Sequence, residues 1–445
     1  MNWRKQVIYL FLYLSRSGIP ARLKQIRAIE RLPAAEKEKI QQEKLKKLLL
    51  HAYKNVPYYK GVLLNAGVIR AGAVDLHNFN RIPLLTKDII REQGSNLYSV
   101  DYKRRKPYAN TSGGSTGEPV RFIQDKEYDE WNTAAKIYFN EKLGKVPGEP
   151  EIKLWGSERD IIEGNLTLKD RLMNRLYNRV FHNSYVFDKN SMLRLAGLNN
   201  KIKPKSYWAY VDAAYMFSKF VLENNIKLNP PEYIVTSIGP LYPEQKRIIE
   251  KAFGCRAYNQ YGSREVGAVA SQDRAQNELK VFFWRQFLEI LTGSRDGNKN
   301  ERRIIVTTLD NYSMPLIRYQ IGDVAESGEE SYRIGQTVSY LSIKNVIGRT
   351  LGFFKKKDGT LIHTHFMVQQ TFFKDWIKKI QIVQKDYDLV VCNIAVEGGQ
   401  NRDDIDDISG RIKTVMGQDC RVEFRFVSDI KPSRSGKYLY TVSEI

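Results

Sequence analysis

The sequence predicts an α/β protein: a large domain of helix-flanked sheet carrying a small barrel-like β region, followed by a small α+β domain. Three observations carry this expectation. Ile234-Val235-Thr236-Ser237-Ile238 reads as a strand, Pro243 to Phe253 as a helix and Cys255 to Tyr261 as a second strand. That β-α-β succession favours a parallel or mixed sheet with helices on its faces. Residues 279–309 and 331–345 alternate with the period of strands and without an intervening helix, as a small barrel or distorted sheet would. The C-terminal stretch then repeats the mixture on a smaller scale. Strands are expected at Lys379–Val383, Leu389–Ala395 and Arg421–Phe426, with a helix from Asp403 to Met416 between the second and third.

The remaining elements follow in order. Residues 21–64 read as helical, with Leu23, Ile26, Ile29 and Leu32 at spacing three; Pro57 is expected to end the run and Tyr58-Tyr59 to begin a turn. A helix follows Thr86, which can cap it, and Gly94 can stop it. Tyr108 to Phe122 changes to a Gly/Ser/Thr loop bounded by extended residues, Tyr128 to Leu143 is helical again, and Ile152 to Trp155 is a strand. The expected organisation is a helical arm (1–90) belonging to the large domain, the body of that domain (91–347), and a mobile C-terminal domain (348–445) joined near Gly348-Arg349.

Composition bounds the function. The chain has 445 residues, 42% hydrophobic and 27% charged, which excludes wholesale disorder. Cys255, Cys392 and Cys420 are scattered and form no C-x-x-C, so neither a disulfide framework nor a cysteine-built zinc site is expected, and a reducing cytoplasm is the natural compartment. His363 and His365 stand two apart on an extended stretch and are not read as a metal site. The formal charge is +21, and residues 1–60 carry 14 Lys and Arg against four Glu. No zinc-finger spacing, RNP-like strand or basic heptad region accompanies that charge, so nucleic acid is not the expected partner. Val7 to Leu14 is far shorter than the ~20 apolar residues of a spanning helix. It lacks a small-x-small cleavage site at Ser15–Pro20 and reads as a retained surface helix. A basic, partly apolar start of this kind suits either peripheral contact of residues 1–20 with the inner membrane face or a solvated arm.

Four segments can carry chemistry. Ser112, Gly113, Gly114, Ser115, Thr116 and Gly117 allow backbone N–H groups to converge on an anion, although the Walker spacing is absent and a surface loop has the same composition. Tyr258 to Glu265 follows a predicted strand, where ligands of α/β sheets bind; Tyr261 can stack on a base and Glu265 can hold Mg²⁺, or Tyr261 can be core and Glu265 solvated. Asp323 follows Gly322 at an expected tight turn, where it could accept bonds from ribose hydroxyls. Lys437, in a Lys431–Lys437 loop near the C-terminus, can bring positive charge to a phosphoryl transition state.

In this order the four segments resemble the adenylate-forming (ANL) superfamily, specifically the phenylacetate–CoA ligase family and its capsular-polysaccharide branch. His51 to Tyr59 looks like the start of that branch. The resemblance implies an ANL-type large domain, a mobile C-terminal domain, and Mg²⁺- and ATP-dependent, AMP-forming activation of a carboxylic acid. It assigns Ser112–Gly117 to the ATP phosphates, Gly239 with its neighbours to the adenine and acyl pocket, Tyr261 and Gly262 to the adenine, Glu265 to Mg²⁺, Asp323 to the ribose, Arg349 to the hinge and Lys437 to adenylation. Trp208 and Tyr210 fall in the acyl-pocket region. The acceptor is expected to be coenzyme A, or an amine or sugar hydroxyl, in a monomer or homodimer, with no zinc. Two departures stand out: Thr350 follows Arg349 where an acidic residue is usual, and Arg264 precedes Glu265 where threonine is common. The competing expectation is a membrane-associated, non-catalytic nucleotide-binding scaffold of a polysaccharide pathway.

Overall fold

The computed structural model describes residues 2–112, 120–155, 168–183, 189–237, 239–275, 277–292, 302–349, 353–358, 361–363, 367, 374, 376–396, 399, 401–431 and 439–445. The N-terminal arm consists of α1 (Trp3–Leu14), α2 (Ile19–Glu30), α3 (Ala34–Asn55) and α4 (Pro57–Asn65). In α3 the buried residues Gln41, Leu45, Leu48, Leu49 and Ala52 recur every three to four positions, so one stripe faces the core. α3 stops just before Pro57 as expected, but Tyr58-Tyr59 form no turn, because Pro57 opens α4 at its first position. A missing N–H costs nothing there and proline's fixed φ suits the first turn. α5 (Lys87–Gln93) has the expected ends: Thr86 Oγ1 accepts from the Ile89 amide at 3.3 Å, and Gly94 closes the helix at φ +50°.

Short hairpins β1 (Ile69–Arg70) with β2 (Ala73–Val74), and β3 (Tyr108–Thr111) with β4 (Arg121–Gln124), precede α6 (Lys126–Lys142). Next come β5 (Glu151–Trp155), α7 (Leu168–Leu176), β6 (Arg179–Asn183), α8 (Lys189–Ile202), β7 (Ser206–Tyr210), α9 (Val211–Glu223), β8 (Tyr233–Ser237), α10 (Pro243–Phe253) and β9 (Arg256–Ser263). Strands β5 to β9 pair in parallel in the order β6-β5-β7-β8-β9. Their side chains alternate between two cores. Tyr207, Ala209, Ile234 and Ala257 meet α9 and α10, while Trp208, Val235 and Tyr258 meet α6 and the N-terminal helices.

The β-rich region extends this sheet rather than forming a separate barrel. β10 (Gly267–Ser271), β11 (Leu279–Val281), β12 (Gln286–Thr292), β13 (Arg302–Thr308), β14 (Tyr319–Ser327) and β17 (Ser342–Arg349) add on antiparallel, giving eleven strands in the order β12-β13-β14-β17-β11-β10-β9-β8-β7-β5-β6. The β9–β10 hairpin makes the change of direction. Its strands come so close that a Cβ on Gly262 would lie 2.3 Å from the Gly267 carbonyl oxygen, so only glycine fits. A side hairpin, β15 (Ser331–Ile334) with β16 (Thr337–Tyr340), lies between β14 and β17 in sequence.

After β17 come the small pair β18 (Phe353–Lys355) and β19 (Leu361–His363), then β20 (Ile377–Asp386), β21 (Leu389–Val396), α11 (Arg402–Met416), β22 (Arg421–Val427) and β23 (Thr441–Ser443). The last four strands form their own sheet, ordered β22-β21-β20-β23, over a core of Ile380, Ile382, Val390, Cys392, Ile394, Ile408 and Ile412.

Candidate active site

Three of the segments singled out in the sequence meet at the junction of the parallel and antiparallel halves. Tyr261, near the C-terminal end of β9, donates its hydroxyl to Asp323 Oδ2 at 2.8 Å, although 62 residues separate them. Asp323 is not in a tight turn; it lies inside β14, directly opposite Arg349 of β17. Glu265 sits in the turn between β9 and β10, and Tyr319, four residues before Asp323 on β14, donates to its Oε1 at 3.4 Å. Tyr261, Glu265 and Asp323 are each 8% exposed, so all three are largely withdrawn from bulk water yet still touch it. Arg264 is exposed beside them.

The Glu265 turn is clamped from both sides. Gln124, the last residue of β4, donates its Nε2 to the Arg264 carbonyl at 2.8 Å and to the Glu265 carbonyl at 3.1 Å. Gln286 at the start of β12 donates to the Val266 and Ala268 carbonyls at 2.8 and 3.1 Å. A carboxylate on a turn fixed in this way is aimed before any ligand arrives. Gln124 also ties the turn to the hairpin that carries the glycine-rich loop. At the mouth of that loop, Ser112 and Val120 close a ring: the Ser112 amide donates to the Val120 carbonyl, and the Val120 amide to Ser112 Oγ, both at 2.9 Å. Gly113, Gly114, Ser115, Thr116, Gly117, Lys437 and the side chain of Arg349 lie outside the described residues, as does His365.

Buried ion pairs frame this junction. Arg318 donates to both carboxylate oxygens of Glu289, at 3.0 and 2.9 Å. Arg285 contacts Asp310 in the same bidentate way, at 2.8 and 3.3 Å. Burial pushes the carboxyls of Glu289 and Asp310 upward, and the facing guanidinium opposes that rise in each case. These arginines are therefore framework, and among the described residues no cation pairs with Glu265.

On the parallel side, Gly239 follows β8, with Val211 3.7 Å from where its Cβ would be. Tyr210 ends β7 against Trp155 of β5, ring centroids 4.5 Å apart, forming an aromatic wall at the C-terminal edge of the strands. Trp208, two residues earlier on β7, is buried in the α6-side core between Phe139 and the Lys153 ammonium, whereas Tyr210 packs against the core under α9 and α10. Sequence reasoning did not assign Tyr319, Gln124 or Trp155. Tyr319 lies only four residues before Asp323, but Gln124 has no local signature because its role depends on pairing with a turn about 140 positions away.

The chain has the fold of the adenylate-forming ligases. It superposes on a solved 2-hydroxyisobutyryl-CoA ligase in the postadenylation state in complex with 2-HIB-AMP at a TM-score of 0.69, with 17% identity, covering 93% of this chain and 90% of that one. The same ligase with 2-HIB-AMP and CoA in its thioesterification state gives 0.57 at 18% identity, covering 93% and 91%. Within this adenylate-forming fold, residues 354–444 match the CapK C-terminal domain. Protein CapK of Staphylococcus aureus is a homologue, 24% identical over 413 residues, 91% of this chain and 89% of CapK. Phenylacetate-coenzyme A ligase of Thermus thermophilus is another, 24% identical over 331 residues and 72% of each chain. Among the described residues no group of three or more His, Cys, Asp or Glu could hold a metal ion.

Proposed function

We propose that this protein activates a carboxylic acid with ATP, forming an acyl-adenylate and pyrophosphate, and then passes the acyl group to coenzyme A or another acceptor. The observation that carries this reading is the Tyr261–Asp323 hydrogen bond beside the clamped Glu265. It joins the residues assigned to adenine, ribose and metal, from segments far apart in sequence, into one cluster. The relative named as a CoA ligase, and a structural neighbour holding an acyl-AMP, support the same chemistry.

Each residue has a chemical task in this scheme. The acid's carboxylate oxygen attacks the α-phosphorus, and the α–β bridging oxygen leaves with pyrophosphate. Both partners are anionic, so the site must neutralise charge and hold them in line. Glu265 suits Mg²⁺: it is a nearly buried carboxylate with no cation among the described residues, and Mg²⁺ commonly takes one or two protein carboxylates plus substrate phosphates. When bound, the ion would offset phosphate charge. Asp323 would take the ribose hydroxyls while Tyr261 orients it and presents its ring to the base. Ser112 to Gly117 would supply amide and hydroxyl donors to the phosphates, Gly239 would let the nucleotide approach the sheet, and Lys437 would approach from the 348–445 domain about a hinge at Arg349. Trp155 and Tyr210 would face the acyl group. The resemblance of the ordered motifs to the capsular-polysaccharide branch makes surface-polysaccharide assembly the setting we propose.

The test is a pyrophosphate-release screen across aryl, short-chain, hydroxy and amino acids. One class should release pyrophosphate in proportion to AMP, and Glu265→Gln should lower kcat/KM for Mg·ATP by about a hundredfold or more. The exposed apolar face of α1 favours a second reading, a nucleotide-holding scaffold at a membrane. Nucleotide binding with no pyrophosphate released from any acid would favour it.

A further inference from the structure

Helix α1 is apolar on both sides. Ile8 and Leu12 face inward and join Leu23, Ile26 and Trp131 in the core. Its start is fixed as well: Asn2 caps it by accepting from the Lys5 amide at 3.2 Å, and donates to the Pro147 carbonyl at 3.0 Å. The opposite stripe is Trp3, Val7, Leu10 and Leu14, with Phe11 and Tyr13 at its margins, and all six are exposed. Trp3, Leu10 and Leu14 keep 59, 56 and 69% of their surface in solvent. A packed helix normally turns a polar face outward, and a contiguous apolar stripe of this size marks a binding surface.

Charge selects the occupant. Residues 2–29 contain Arg4, Lys5, Arg16, Arg22, Lys24 and Arg27 and no carboxylate side chain. Arg22 and Arg27 are engaged by Glu127 and Glu141 of α6. Arg4, Lys5, Arg16 and Lys24 have no carboxylate partner among the described residues. A second copy seated on the stripe about a two-fold axis would bring identical basic flanks together. An anionic bilayer instead meets the stripe with acyl chains and the flanks with headgroups, and Trp3 is a residue suited to that boundary. At 12 residues α1 is too short to span a bilayer, and no described helix is long and apolar enough to do so. We propose that α1 lies in the plane of an anionic lipid surface, its outer stripe buried at the acyl boundary, and holds the protein there peripherally.

Cosedimentation with vesicles tests this without reference to the reaction. The full chain should bind phosphatidylcholine–phosphatidylglycerol vesicles roughly tenfold or more tightly than phosphatidylcholine alone, with salt weakening the binding. Leu10→Asp combined with Leu14→Asp leaves Ile8 and Leu12 in place; it should abolish binding with an unchanged melting midpoint. Arg16→Glu with Lys24→Glu, both exposed positions outside α1, leaves the apolar surface intact; it should remove the preference for anionic vesicles and decides the matter if the aspartate pair unfolds. Equal binding to both vesicle types, binding indifferent to these variants, or a dimer in solution that the aspartate pair dissociates would each overturn the proposal.

Discussion

Tyr261 can serve the nucleotide in two ways, and its hydroxyl distinguishes them. The ring is available to a base whatever the para substituent is, whereas the hydroxyl holds Asp323 at 2.8 Å. A hydrogen bond to a charged group contributes about 1.5–3 kcal/mol. Tyr261→Phe should therefore keep stacking, lose the orientation of Asp323, and raise KM for ATP about tenfold or more while kcat falls little. Steady-state kinetics at varied ATP checks this; an unchanged KM would make the bond a packing detail. Tyr261, Glu265 and Asp323 could be picked out from sequence because their residue types and order are themselves the signal. Gln124 and Tyr319 could not, since an amide clamp or a supporting hydroxyl has meaning only once β4, β9 and β14 have been brought together.

Elements are readable to the extent that local chemistry decides them. Thr86 and Gly94 bound α5 by capping alone, and α10 runs from Pro243 to Phe253 as its periodicity requires. Pro57 marks the end of α3, but proline equally suits the first position of a new helix, and the packing of Tyr59 and Leu63 makes α4 where the residues alone suggest a turn. Gly322-Asp323 has the local signature of a turn, but strand pairing with β17 overrides that preference. At this scale the parallel half has one electrostatic weak point. Glu151, at the start of β5, contacts Lys145 at 2.7 Å, Arg179 at 3.0 Å and Lys153 at 3.7 Å. Burial pushes its carboxyl up, but these three cations outweigh burial and hold it well below the usual carboxylate range. A carboxyl lowered on folding stabilises the protein above its unfolded value of about 4.3, and that stability is lost as pH falls further. Glu151→Gln should cost about 3–5 kcal/mol at neutral pH and flatten the loss of stability below about pH 4, read by denaturant melts across pH. Equal stability of the variant at pH 7 would contradict this.

Across the whole molecule, a nucleotide would bridge the two halves of the eleven-stranded sheet and meet the C-terminal β20–β23 unit, so binding should be felt globally. At a concentration a hundred times its Kd, a ligand adds about 2.7 kcal/mol to folding stability. Mg·ATP should accordingly raise the thermal midpoint of the full chain. EDTA should remove most of that increment, and Glu265→Gln should make the response nearly independent of magnesium. A magnesium effect of equal size in Glu265→Gln would move the ion away from Glu265. Thermal shifts cannot separate a ligase from a scaffold, however, because both hold the nucleotide.

Only turnover separates them, and the discriminating residue is the one furthest along the chain. Acid-dependent exchange of labelled pyrophosphate into ATP reports the first half-reaction alone, whatever the final acceptor is. The account predicts exchange with the cognate acid, a fall of about two orders of magnitude or more in Lys437→Ala, and retained Mg·ATP stabilisation in that variant. Exchange at the wild-type rate in Lys437→Ala, or no exchange with any acid by a wild-type protein that binds Mg·ATP, would contradict it.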